Sequence, residues 1–85
     1  MDDLVQQMGM RLLARRKQLR LTQEELAEAA NVTSQTISTA ELGKKALRPE
    51  NIVKICTALE ISADYLLYGR VTADDRSMLV DKISK

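Results

Sequence analysis

The stretch from Thr22 to Gly43, TQEELAEAANVTSQTISTAELG, leaves the chain few options besides two short helices joined by a tight turn. Thr22 with Glu25 three positions on is a capping box, in which hydroxyl and carboxylate each satisfy a backbone N–H that the helix start would otherwise leave bare. The first helix then runs through Ala30 and stops at Asn31, a residue type that tolerates the left-handed conformation common at helix ends. Val32 turns the chain inward, and Thr33 caps a second helix of eight residues. On that helix Ile37, Ala40 and Glu41 share one face, while Gln35, Ser38, Thr39 and Leu42 share the other. One side is built to pack, and the opposite side is small and polar.

The remaining composition suits a small helical domain. Of the 85 residues, 45% are hydrophobic but only two are aromatic, which suggests helices packed by Leu, Ile, Val and Ala. No apolar run approaches the roughly 20 residues that a membrane-spanning helix needs. One cysteine, Cys56, cannot form an internal disulfide, and no basic-then-apolar leader opens the sequence, which points to the cytoplasm. Without histidine and with a single thiol, neither a zinc cluster nor a histidine-based catalytic group can be assembled. No catalytic residue, metal site or cofactor is expected, and an enzyme is disfavoured.

The net charge of +1 hides an uneven distribution. Between Arg11 and Arg48 the basic residues Arg11, Arg15, Arg16, Lys17, Arg20, Lys44, Lys45 and Arg48 face only Glu24, Glu25, Glu28 and Glu41, whereas both flanks are slightly acidic. A polyanion would meet a locally basic surface around the central motif. Residues Asp3 to Leu19 read as the first helix, with Val5, Met8, Leu12 and Leu19 on one apolar stripe. Arg16 falls on that stripe too. A guanidinium aimed at the core needs a carboxylate, and Glu41 is the motif's one acid on an inward face, so a partly buried Arg16–Glu41 ion pair is predicted. Arg11, Arg15, Lys17 and Arg20 lie mostly off the stripe; a solvated face and, for Arg15 and Arg20, phosphate contact are both open readings.

The run Thr22-Gln23, Glu25-Leu26-Ala27, Asn31-Val32, Thr36-Ile37-Ser38, Glu41 and Gly43 resembles the helix-turn-helix of lambdoid phage repressor and Cro proteins, the XRE-type family. The resemblance extends over about Met8 to Gly69. It implies an all-α, lambda-repressor-like five-helix DNA-binding domain over residues 1–69, whose second motif helix enters the DNA major groove. Two positions depart from the family pattern: Asn31 stands where Gly is usual, and Thr39 where many relatives carry a basic or larger residue.

On the second motif helix Ser34, Gln35, Ser38 and Thr39 are the candidates for base and backbone contact. Gln35 is the strongest, because its amide can pair in bidentate fashion with adenine N6 and N7. Thr39 can hydrogen-bond, or its methyl can meet a thymine methyl. Gln23, at the start of the first motif helix, touches a phosphate or orients its neighbours, as the resemblance implies. Lys44, Lys45 and Arg48 project from the loop GKKALR as phosphate contacts would require. Pro49 opens the next helix, and the resemblance adds the N–H or side chain of Asn51.

Ile52, Ile55, Cys56 and Leu59 form the core face of a fourth helix. Ser62 caps a fifth that ends at Gly69, with Ala63, Leu66 and Tyr65 completing the core beside Ile61. Leu67 and Tyr68 are read either as a small homodimer interface or as the last of the monomer core. Thr72 with Asp75, followed by Met78, Leu79, Val80 and Ile83, suggests a short sixth helix over 72–84 that assists dimerisation. The expected function is a transcriptional repressor that binds double-stranded DNA at a near-palindromic operator as a dimer, with recognition helices roughly 34 Å apart. An antitoxin or protein-binding regulator on the same fold is the alternative, and no small-molecule ligand is implied.

Overall fold

A computed structural model describes residues 3–70, which form five helices: α1 (Asp3–Gln18), α2 (Gln23–Ala30), α3 (Ser34–Glu41), α4 (Pro49–Leu59) and α5 (Ala63–Tyr68). Hydroxyl caps start three of them. Thr22 Oγ1 accepts from the Glu25 N–H at 3.0 Å while Glu25 Oε1 accepts from the Thr22 N–H at 2.9 Å, closing the capping box. Thr33 Oγ1 accepts from the Thr36 N–H, and Ser62 Oγ from the Tyr65 N–H. Such caps contribute about 1 kcal/mol apiece. α4 starts differently: Pro49 occupies its first turn and Arg48, at the cap position, makes no side-chain cap bond.

The helix ends are equally local. Asn31 adopts φ 58°, ψ 48°, and its N–H and that of Val32 return to the carbonyls of Glu28 and Ala27. This left-handed corner turns α3 away from α2 without a glycine. α1 ends at Gln18 rather than Leu19, although the Leu19 N–H still donates to the Arg15 carbonyl at 3.1 Å. Arg20, at φ 61°, then reverses the chain.

The core forms where these helices converge: Met8 and Leu12 from α1, Leu26, Ala27 and Ala30 from α2, Ile37 and Ala40 from α3, and Ile55, Cys56 and Leu59 from α4. Ile61 and Leu66 close it at the α5 end. α1 lies against α3 and α5, and α2 against α3 and α4. Leu47 is also buried, so the loop between α3 and α4 drops one aliphatic side chain into the core. Val5 is only half-buried and Ala63 is exposed, contrary to expectation. Val5 lies near the outer end of α1, and Ala63 is the first residue after its cap, where the opening turn of α5 still faces solvent. The expected helix over 72–84 lies outside the described residues.

Arg15 requires a larger correction. It is 2% exposed and therefore neither solvated nor free for phosphate. Its Nε donates to the Leu59 carbonyl at 2.9 Å, at the C-terminus of α4, and a second guanidinium nitrogen donates to Gln18 Oε1. Position 15 follows Leu12 by three and Met8 by seven, which places it on the apolar stripe. A cation there is tolerated because the last carbonyls of a helix carry partial negative charge. Arg11 repeats the arrangement on α5, donating to the Leu66 carbonyl at 3.2 Å.

Gly9 fixes how closely α1 and α3 approach. A Cβ placed on it would sit 2.2 Å from the Ala40 carbonyl oxygen and 2.9 Å from that of Glu41, both backbone atoms. In an open helix, Gly→Ala gains about 1 kcal/mol of helix propensity. Here the overpacking cost exceeds that gain. Gly9→Ala is therefore expected to lower stability by about 2 kcal/mol in urea unfolding, and an unchanged or higher midpoint would contradict this close crossing.

Candidate nucleic-acid interface

The packing beneath α3 decides which of its side chains face outward. Ile37 and Ala40 are fully buried, Gln35 is exposed, and Ser34, Ser38 and Thr39 are half-buried along the outer side. Leu42, just past the helix, is 64% exposed.

At its C-terminal end, α3 is held by a polar cluster. Arg16 Nε donates to Glu41 Oε2 at 2.6 Å, another of its nitrogens to Glu41 Oε1 at 3.1 Å, and the third to the Leu21 carbonyl at 2.8 Å. The two side chains are 11% and 4% exposed. The hydrogen bond to Glu41 raises the Arg16 pKa above the ordinary arginine value, against burial, which lowers it. Arg16 thus stays charged throughout the neutral range. Stability from a raised pKa is complete below the unfolded-state value and lost only above it, so the Arg16 side of the pair adds no pH dependence near neutrality. Gln23 Nε2 donates to Glu41 Oε1 at 2.9 Å, so this amide points at the cluster and ties the start of α2 to the end of α3.

A cleft of about 260 Å³ opens between α3 and the start of α4, lined by Gln35, Thr36, Thr39, Ala40, Lys45, Ala46, Leu47, Arg48 and Asn51. Five of the residues singled out in the sequence meet here: Gln35 and Thr39 from α3, Lys45 and Arg48 from the loop, and Asn51 from α4. Ser34 and Ser38 lie on α3 away from its walls, and Lys44 is exposed beyond it. Among the lining residues, Ala46 and Leu47 carry no functional signal in the sequence. The buried Leu47 sets the position of the exposed Lys45 and Arg48 on either side of it.

The electrostatics are narrower than the count of basic residues suggests. Arg11, Arg15 and Arg16 are engaged inside the fold. Lys17, Arg20, Lys44, Lys45, Arg48, Lys54 and Arg70 remain exposed, with Lys44, Lys45 and Arg48 beside α3. Among the described residues no His, Cys, Asp or Glu group could hold a metal ion, and no helix is long and apolar enough to cross a membrane.

Comparison with known proteins agrees with this geometry. The Helix-turn-helix family profile matches residues 12–66. Repressor protein C2 of Salmonella phage P22 is 39% identical over 64 residues, which is 75% of this chain but 30% of that protein. The cryptic phage CTXphi transcriptional repressor RstR of Vibrio cholerae is 35% identical over 75 residues, 88% of this chain and 66% of the relative. The chain thus spans less than two thirds of either relative's length. Among solved structures, the P22 c2 repressor protein in complex with synthetic operator 9T superposes with a TM-score of 0.73 at 38% identity, covering 76% of this chain and 98% of that one.

Breaking the Arg16–Glu41 pair leaves one buried charge without compensation, which costs about 3–5 kcal/mol. Arg16→Ala and Glu41→Ala are each expected to lose that much in chemical denaturation, whereas the double replacement Arg16→Met with Glu41→Leu recovers much of it. Additive losses in the double variant would show that the two groups do not act as a pair.

Proposed function

We infer that this chain, which belongs to the helix-turn-helix family, is a sequence-specific DNA-binding transcriptional repressor that acts in the cytoplasm and catalyses no reaction. The observation that carries this reading is the cleft beside α3: an exposed amide and a half-buried threonine on a rigid helix, with the cationic Lys45 and Arg48 on a loop next to them. Base edges in the major groove are read by side chains such as Gln35, while phosphates are held by flanking cations and helix starts. The likeness to the P22 c2 repressor, whose solved structure contains a synthetic operator, supports binding to double-stranded DNA here.

In this mechanism α3 enters the major groove with Gln35 leading, supported by Ser34, Ser38 and Thr39. Lys44, Lys45, Arg48 and Asn51 grip the sugar-phosphate backbone. The start of α2, oriented through the Gln23 amide, meets a phosphate at its positive dipole end. Two copies pair through Tyr68, which is 56% exposed, and Leu67, together with the 72–84 segment. A dimer then covers two half-sites one helical turn apart and occludes the promoter.

Selection of duplexes from a random pool, followed by titration across salt, tests this reading. Enrichment of a repeated half-site and a steep negative slope of log affinity against log salt are expected. Gln35→Ala relaxes the preference at one base position, with about 1–3 kcal/mol of discrimination lost there. Lys45→Ala weakens all sequences alike and reduces the slope by about 1. Arg15→Met lowers stability but leaves the slope unchanged, because Arg15 is buried. A pool without an enriched half-site, or a flat slope, overturns the assignment.

A further inference from the structure

We propose that the outer face of α5 pairs antiparallel with the same face of a second copy, Asp64 of one protomer meeting Arg70 of the other. The proposal rests on the homodimer reading above and deepens it. Asp64, Leu67 and Tyr68 stand three and four positions apart, so they share one side of α5. Asp64 and Tyr68 are exposed and Leu67 is half-buried. Arg70 lies just beyond the helix, its guanidinium carbon 5.2 Å from the centre of the Tyr68 ring. Along the chain this face therefore reads acid, apolar, base.

Such an order of charges fits a copy of itself. In a two-fold contact residue i meets residue j and j meets i. An axis near Leu67, midway between positions 64 and 70, sets each acid against the partner's base and stacks the apolar middle on itself. Parallel pairing would set acid against acid and base against base, which is unfavourable. Among the described residues no ion pair involves Asp64 or Arg70, and resting over a ring uses the guanidinium's charge but none of its N–H donors. The face is also held in shape from beneath. Arg11 donates to the Leu66 carbonyl at 3.2 Å, and Gly69, at φ 74°, lies so close to that guanidinium that a Cβ would stand 2.9 Å from Arg11 Nη2. The end of α5 is thereby fixed before a partner arrives, which lowers the ordering cost of association.

Sedimentation equilibrium of the full chain at low salt, from micromolar to millimolar concentration, provides the test. Asp64→Lys and Arg70→Glu each bring like charges together at two symmetric places, and each is expected to raise the dimer dissociation constant roughly ten-fold. Mixed in equal amounts, the two variants recover wild-type affinity as a heterodimer, because each chain then offers the other an opposite charge at both places. Mixing cannot mend a helix that a substitution has damaged, so recovery separates pairing from folding. The double replacement Asp64→Lys with Arg70→Glu restores opposite charges within one chain and dimerises like the wild type. A wild-type dimer that both reversals leave unchanged, or a mixture and a double variant no tighter than the single variants, overturns this antiparallel pairing alone. A wild type that stays monomeric over the whole range overturns the homodimer reading and this proposal with it.

Discussion

The Arg16 guanidinium is held by both oxygens of Glu41 and by the Leu21 carbonyl, and Glu41 also accepts from the Gln23 amide. Three parts of the chain are therefore pinned at one point: the last turns of α1, the start of α2 and the end of α3. The pair has little net stability to offer, since desolvating both charges offsets most of their attraction. What it contributes is orientation. A bidentate guanidinium–carboxylate contact tolerates little rotation, and the tilt of α3 is thereby set against the two helices beneath it. Gly9 acts in concert by letting the α1 backbone rest directly on the carbonyls of Ala40 and Glu41, with no room for a Cβ between them.

α1 carries its cations inward. Arg11 and Arg15 close the C-termini of α5 and α4, and Arg16 serves α3, so one helix neutralises exposed carbonyls or a carboxylate on three others. Among the described residues, the cations left facing outward are accordingly Lys17, Arg20, Lys44, Lys45, Arg48, Lys54 and Arg70. Affinity then depends on where these few charges stand more than on the total charge of the chain.

Local chemistry made much of this architecture legible from sequence. The capping box at Thr22 and Glu25, the left-handed Asn31 and the cap at Thr33 determine α2 and α3 through contacts no more than a few residues apart. The Arg16–Glu41 contact spans 25 positions, yet it follows from two opposite charges placed on inward helix faces. Arg15 departs from the solvated face its charge suggests because its spacing prevails. It shares the Met8 and Leu12 face, and its partner is a backbone carbonyl, which leaves no mark in a sequence. Gly9 and Leu47 are illegible in the sequence for a related reason: a close crossing and a buried loop residue depend on how distant helices meet, which residue pattern does not encode.

The loop between α3 and α4 sends one side chain into the core. Leu47 is buried while Lys44, Lys45, Ala46 and Arg48 around it are exposed, and the Arg48 side chain makes no cap bond at the start of α4. Hydrophobic packing and the placement of positive charge are thus the same structural variable in this segment. A core defect that unseated Leu47 would leave every lysine and arginine in the sequence, yet a binding experiment would record it as missing electrostatic affinity.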